Sequence, residues 1–251
     1  MSTGVLLSYS GIGSNLLHLP YIHEVARKDG PIELITFSEK IPFILKSDPS
    51  LKNISYINKY NKKLIDIFKF SKLLKERKLK KLYIFYPSVR FKIAAKLAGI
   101  SKVYCYPLFR KKKLHLVKAA KKFTEKVLNI KECPTETKFF LSEEQKSQSN
   151  LFIKKNKKNI FIAASSSGPT NRWPISNFIK LIKKIKEQAD SHFFILVGKN
   201  EAAISERIIS ETEKMNITSV HNLSIEQISI IAASCDFYIG NDTFAHHICC
   251  Q

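Results

Sequence analysis

No uninterrupted apolar run in the 251 residues is long enough to span a bilayer, which argues against a transmembrane helix. The first residues, Met1 to Tyr9, are too short in apolar length and lack the basic leader of a secretory signal. Cysteine is scarce and disorderly: Cys105, Cys133, Cys235, Cys249 and Cys250 are odd in number and contain no Cys-x-x-Cys pair. Neither a zinc site nor a disulfide framework is indicated, and free thiols in a reducing cytoplasm are the expectation. There is no low-complexity tract and no short-period repeat. Acidic residues are few, 21 against 42 Lys plus Arg, leaving a formal charge of +21. That excess suits an anionic partner (nucleic acid, an acidic membrane surface or a phosphorylated substrate) and equally suits a solvated basic surface. No RNA-recognition, zinc-finger or helix-turn-helix signature accompanies it, so nucleic acid is not expected.

What is present is an alternation of strand and helix patterns, with hydrophobic residues at 44% of the chain. Strands are expected at 5–9, 32–37, 54–57, 82–86 and 103–106, with helices at 15–27, 63–77 and 91–97 between them. Pro20 is an awkward interior residue of the first helix. The pattern loosens over 110–158, with a helix at 114–128 and a connector at Cys133-Pro134-Thr135-Glu136. A second alternation follows: strands at 159–164, 193–197, 219–221 and 237–239, helices at 175–188, 201–214 and 225–233. This order predicts an α/β protein with parallel sheets, in two Rossmann-like domains, 1–145 and 146–251.

Ligands of open parallel sheets bind beyond the carboxyl ends of the strands, and three loops there carry suitable chemistry. Ser10-Gly11-Ile12-Gly13-Ser14 offers glycines for close backbone approach and Ser14 as a helix N-cap, yet position 16 is Leu and no phosphate-loop lysine follows. A tight structural turn explains it as well. Ala164 to Pro174 combines hydroxyls, a glycine, Arg172 and the lone tryptophan, Trp173, immediately after a strand. Hydroxyls, amides and an arginine suit phosphate oxygens; a polar surface loop with a packed Trp173 is the plainer alternative. The third loop, Gly240-Asn241-Asp242-Thr243, ends a strand and opens a helix, where free N–H groups favour an anion. Asp242 and Thr243 are also ordinary N-cap residues. His246 and His247 are adjacent, so they face different directions on a helix, and no acidic partner at helical spacing makes them a metal pair.

Together the three loops resemble glycosyltransferase family 9, the heptosyltransferases of bacterial lipopolysaccharide synthesis. The residues that carry the resemblance are Gly11 to Pro20, Ser165 to Pro174, Leu223 to Gln227 with Ala232 and Ala233 ahead of Asp236, and Gly240 to His247. The last stretch is similar to the family signature Gly-Asn-Asp-Thr-Gly-x-x-His. The resemblance implies the GT-B architecture of two Rossmann-like domains, an acceptor-side one followed by a nucleotide-sugar-binding one. It also implies transfer of a heptose or similar sugar from a nucleotide-diphosphate donor to a lipid-linked oligosaccharide of the cell envelope. The reaction would be inverting, without metal or other cofactor. By the same resemblance Asp242 and Thr243, with Phe244 and His247 in the same signature, lie at the donor diphosphate. Ser165 and Ser166 would contact phosphate oxygens, Asn171 occupies the place of a phosphate-binding lysine, and Arg172 would supply positive charge. Glu201 would hold the donor ribose, although Ala202 aligns equally well. Gly11 and Gly13 fall on the acceptor side.

Three positions depart from the family pattern. Where the family has an aspartate base, this sequence has Ser14, whose neutral hydroxyl is a poor base. His18, four residues on, would share a helix face with Ser14 and could substitute, or be an ordinary half-buried histidine. Asn171 replaces lysine and Phe244 replaces glycine, the latter narrowing the backbone's approach to phosphate. A catalytically impaired relative that binds a sugar nucleotide is therefore the alternative reading, with a basic nucleic-acid-binding protein behind it. Lys62-Lys63 and Arg110 to Lys113 suggest peripheral contact with the anionic cytoplasmic face of the inner membrane. The second domain is expected to be incomplete, its last helix broken off at Gln251.

Overall fold

The computed structural model describes residues 2–58, 65–107, 114–166, 168, 172–212 and 216–250. Lys62, Lys63, Asn171 and the run from Arg110 to Lys113 lie outside them. The chain divides into two compact units, Met1–Phe140 and Leu141–Gln251. Among the described residues there is no helix long and apolar enough to cross a membrane.

The first unit is built on a five-stranded sheet ordered β3-β2-β1-β4-β5, with every pairing parallel. Its strands are β1 (Thr3–Leu7), β2 (Ile32–Thr36), β3 (Leu51–Tyr56), β4 (Lys81–Ile84) and β5 (Lys102–Cys105). β1 is central and wholly buried, which is why it reads as a near-continuous apolar run rather than an alternating one. Helices α4 (Ile65–Glu76) and α5 (Val89–Leu97) pack side by side over one cluster with the strands, in which Leu6, Ile35, Phe70, Leu74, Leu82, Ile84 and Ala94 are buried. Each fully buried Leu, Ile or Phe of this kind contributes about 1.5–3 kcal/mol relative to exposure.

The single helix expected over 15–27 is two helices, α1 (Ile12–Leu16) and α2 (Leu19–Asp29). Pro20 therefore sits in the first turn of α2, where its missing N–H breaks no helical bond. A short α3 (Ile41–Ile44) was not legible in the sequence pattern. After β5, α6 (Leu116–Leu128) ends on Asn129 in the left-handed conformation.

The second unit opens with α7 (Glu143–Ser149), also unanticipated although its signal is present: Ser142 and Gln145 form a reciprocal capping box. α7 packs against α10 (Ile225–Ser234), so residues 143–149 belong with the second sheet. That sheet is β8-β7-β6-β9, again all parallel, from β6 (Lys158–Ala163), β7 (Ser191–Leu196), β8 (Ile217–Ser219) and β9 (Phe237–Gly240). α8 (Ile175–Gln188), α9 (Ala202–Glu211) and α11 (Phe244–Cys249) complete it. In strand order of appearance this is 3-2-1-4, the order of the first unit without its fifth strand.

His18 lies at the joint of α1 and α2 and is fully buried. Its Nδ1 is 2.6 Å from the Ser14 carbonyl oxygen, so Nδ1 carries the proton and donates. Nε2 then accepts from the Tyr106 hydroxyl at 3.2 Å. Tyr9 stacks on the ring at 5.0 Å, and Phe85 and Tyr21 meet it edge-on. Burial pushes its pKa down to about 4, against the Ser14 bond that favours the charged form. A histidine whose folded pKa lies below its unfolded 6.5 makes the unfolded chain the stronger proton binder in that window. Stability is therefore fully present above pH 6.5 and falls as pH drops toward 4, by about 3 kcal/mol from this residue. Urea unfolding of the first unit from pH 7 to 4.5 should show that decline, and His18→Asn should flatten it. A decline of equal slope in the variant would assign the acid sensitivity elsewhere; His192, also lowered to about 4 by burial, acts in the same sense in the second unit.

Candidate functional site

In both units the strand order reverses beside the first strand, between β1 and β4 and between β6 and β9. Such a reversal parts the loops above the sheet and leaves a crevice at the carboxyl edge. In the second unit the loops that flank it are the ones after β6 and β9.

Gly240 pairs with Ala163 at the end of the β6–β9 ladder. A Cβ on Gly240 would lie 2.6 Å from the Ala163 carbonyl oxygen and 2.8 Å from its nitrogen, so only glycine fits. Asn241 follows, buried, and its side chain joins three segments. Its Nδ2 donates to the Ala164 carbonyl at 3.0 Å, and its Oδ1 accepts from the Trp173 amide at 2.8 Å. Its own amide donates to the Ala163 carbonyl at 3.0 Å. The loop after β6 is thus fastened at both ends to the loop after β9. The sequence reading missed Asn241, concentrating on its neighbours; the signal is an amide side chain directly after a glycine that ends a strand.

Arg172 is fixed over this loop. Its Nε and Nη2 both donate to the Ser166 carbonyl, at 3.1 and 2.6 Å, and its Nη1 pairs with Glu201 Oε1 at 2.5 Å. Glu201 precedes α9, and its Oε2 accepts from the Gly198 amide at 3.2 Å. Burial would raise the Glu201 pKa, but bonds from Arg172, Ser165 and Gly198 outweigh it and hold the carboxyl below its usual value. Ser165 is buried, and its Oγ also accepts from the Gly198 amide, at 2.9 Å; Ser166 Oγ donates to the Gly168 carbonyl at 2.8 Å. Arg172, Ser165, Ser166 and Glu201 therefore form one connected network. Trp173 is 42% exposed, and its ring meets Phe178 edge-on.

On the other side of the crevice, Asp242 is exposed and lies 3.7 Å from His247 Nε2. Burial lowers the His247 pKa, opposed by the Asp242 carboxylate and reinforced by His246. The N-cap of α11 is Thr243, with no capping bond from its side chain; its hydroxyl faces the Tyr238 hydroxyl at 3.3 Å instead. Phe244 is half-buried in the first turn. No group of three His, Cys, Asp or Glu side chains is placed to hold a metal ion among the described residues.

The first-unit loop is organised by a second asparagine. Asn15 is fully buried, donates from Nδ2 to the Tyr9 and Gly11 carbonyls at 3.0 and 2.7 Å, and accepts from Thr36 Oγ1 at 2.7 Å. Gly11 is the extended N-cap of α1, and a Cβ there would meet only Ser14 Oγ among protein atoms, at the ordinary distance of 3.8 Å. Gly13 lies inside α1. Ser14 is partly exposed on that helix, whereas His18 is sealed in the core with both ring nitrogens engaged. The suggestion that His18 substitutes for an aspartate base is corrected accordingly: its Nε2 faces Tyr106 and is closed to solvent.

Removing the Asn241 side chain leaves buried partners unpaired, at about 1–3 kcal/mol for each such group. Asn241→Ala and Gly240→Ala should each lower the denaturation midpoint of the second unit by an amount worth about 2–4 kcal/mol, the second through a forced shift of β9. Chemical denaturation followed by Trp173 fluorescence measures both; variants as stable as the parent would remove these contacts from their assigned role.

Comparison with known proteins agrees with this geometry. The sequence model of glycosyltransferase family 9 (heptosyltransferase) matches residues 94–250. The fold is similar to that of the ADP-heptose LPS heptosyltransferase II of E. coli, with 14% identity, a TM-score of 0.73, and coverage of 99% of this chain and 81% of that one. A family 9 glycosyl transferase of Veillonella parvula gives 14% identity and a TM-score of 0.77, covering 99% and 77% of the two chains. E. coli heptosyltransferase WaaC, solved with ADP-2-deoxy-2-fluoro heptose, gives 11% and 0.72, covering 99% and 85%. No curated protein sequence matches the chain. The two parallel sheets give the chain the α/β fold of the GT-B glycosyltransferases, and the family match over 94–250 shows that it belongs to glycosyltransferase family 9.

Proposed function

We propose that the chain transfers a heptose or similar sugar from a nucleotide-diphosphate donor to a lipid-linked acceptor of the cell envelope, such as lipopolysaccharide. The observation that carries this reading is the network of Asn241, Arg172 and Glu201 at the crevice of the second unit. There a guanidinium is pinned between a hydroxyl-bearing loop and Glu201 at the start of α9, and the amide of the next residue, Trp173, is bound by Asn241 after β9. On this reading the first unit is the acceptor side and the second binds the donor. The diphosphate lies against Arg172, Ser165, Ser166 and the segment Asp242–Phe244, with His247 in the same signature and Asn171, next to Arg172 in sequence, in the place of the family lysine. Arg172 supports departure of the nucleoside diphosphate because its charge is already oriented by Ser166 and needs no reorganisation. Glu201 accepts from Arg172, Gly198 and Ser165, and a carboxylate, with about four lone-pair sites, retains one for a ribose hydroxyl. The displacement is inverting and uses no metal or cofactor, with Arg172 supplying the positive charge. The enzyme would act in the cytoplasm, at the inner face of the membrane that carries its acceptor. The relative solved with an ADP-heptose analogue supports a nucleotide sugar as donor.

One observation favours a second reading, a relative that binds the donor without transferring from it. The first loop offers Ser14 where a base is wanted, and His18 is buried and bonded. Donor binding by calorimetry, together with transfer of labelled sugar to an envelope-glycan acceptor, separates the two. For the enzyme, Arg172→Ala should lower transfer by about 10²–10³-fold. For the impaired relative, the parent binds donor without turnover and Ser14→Asp gains transfer. Salt-sensitive binding of single-stranded nucleic acid, with no donor binding, would overturn both.

A further inference from the structure

Helix α5 carries an apolar stripe that the fold does not cover. Val89, Ile93 and Leu97 are spaced i, i+4, i+8, which places them on one helix face, and they are 50, 42 and 53% exposed. The opposite face holds Ala94 and Ala95, both buried in the core beneath. Arg90, Lys92 and Lys96 flank the stripe, all exposed, and α5 contains no acidic residue. α4, packed alongside, adds exposed Phe68, Lys69 and Lys72, its acids Asp66 and Glu76 lying toward its two ends.

We infer that this face of the first unit docks on an anionic lipid bilayer, the aliphatic side chains entering the headgroup boundary and the cations meeting lipid phosphates. An aliphatic stripe bordered only by cations is the pattern that lies in such an interface. A second copy of the chain is disfavoured as occupant, because a two-fold contact would set Arg90, Lys92 and Lys96 against their own equivalents. Stacking on single-stranded nucleic acid calls for a row of aromatic platforms, whereas the exposed row along α5 is aliphatic and Phe68 stands on the neighbouring helix. The location fits the proposed acceptor. α5 begins just after Tyr86, whose ring meets Phe91 at 6.4 Å and Tyr9 of the first loop at 5.8 Å. Lipid held along α5 would thus bring the bilayer surface to the loop read as acceptor-side. The inference rests on that reading of a lipid-linked acceptor, which it deepens by naming the surface that meets the membrane.

Co-sedimentation with vesicles of phosphatidylcholine and phosphatidylglycerol in equal parts tests it without donor or acceptor. The parent should bind these vesicles and not phosphatidylcholine alone. Val89→Ser/Ile93→Ser/Leu97→Ser should weaken binding at least about tenfold, and Arg90→Glu/Lys92→Glu/Lys96→Glu should do the same. Lys183→Glu/Lys184→Glu, on exposed positions of α8 in the second unit, should bind as the parent does. Circular dichroism checks folding; the charge variant touches only exposed side chains and decides the matter if the stripe variant unfolds. Unchanged binding in the charge variant, equal loss in the α8 control, or equal binding to neutral vesicles would overturn the inference. So would a stripe variant that turns a dimer into a monomer and leaves vesicle binding intact. Sugar transfer that survives the loss of vesicle binding would leave the proposed enzyme standing, whereas vesicle binding without transfer would separate the surface from that activity.

Discussion

The carboxyl edge of the second sheet depends on the side-chain amide of Asn241. A parallel sheet supplies crevices at its strand-order reversals, but the loops above them have no ladder to hold them. Here one buried amide uses donor and acceptor at once, toward the last residues around β6 and toward Trp173 at the far end of the same loop. Gly240 makes this possible by letting β9 approach β6 with no Cβ in the way. Arg172 inherits its position from the fastened loop and is then aligned by the Ser166 carbonyl and the Glu201 carboxylate. Each of these contacts presupposes the one before it.

The first unit repeats the device with different chemistry. Asn15 ties Tyr9, Gly11 and Thr36 together as Asn241 ties Ala164 and Trp173, the first from α1 after the central β1, the second directly after β9, which pairs with the central β6. Both are buried amides with donor and acceptor engaged, which is the condition under which a buried polar side chain stabilises rather than destabilises. What the two loops then present differs. The second unit presents a cation aligned by a carboxylate that its surroundings keep ionised; the first presents the neutral hydroxyl of Ser14 above a histidine that burial keeps neutral.

Most of the architecture was legible because parallel strands buried on both faces announce themselves as apolar runs, and β1, β6 and β7 are of that kind. The two sheets, their parallel sense and the three loops at the carboxyl edges followed from that. What escaped the sequence is short or depends on a third dimension. The four residues of α3 give no period to read, and α7 is announced only by its capping box. Pro20 looked like an interior kink because the break at Leu17–His18 carries no glycine or proline of its own. At the site, residue type singled out Arg172 and the serines, which the structure joins in one hydrogen-bonded network, as phosphate contacts. It could not show that their polar atoms are already bonded to one another, nor that His18, so well spaced from Ser14, turns inward.

That inward turn bears on how charge is distributed over the chain. A net charge of +21 is a property of the surface, and the structure separates it into kinds. Arg172 is held by three nitrogens and cannot roam, so its charge acts at one place. The cations of α5 are exposed and flank apolar side chains, so theirs acts on whatever is broad, anionic and partly apolar. A phosphate ester in a crevice needs the first arrangement, because a guanidinium already held by Ser166 and Glu201 presents its remaining N–H donors in a fixed direction. A lipid surface needs the second, since it offers many weakly fixed phosphates over an oily layer. If one chain is to take a soluble diphosphate and a membrane-borne acceptor, it needs both arrangements, and the two units carry one each.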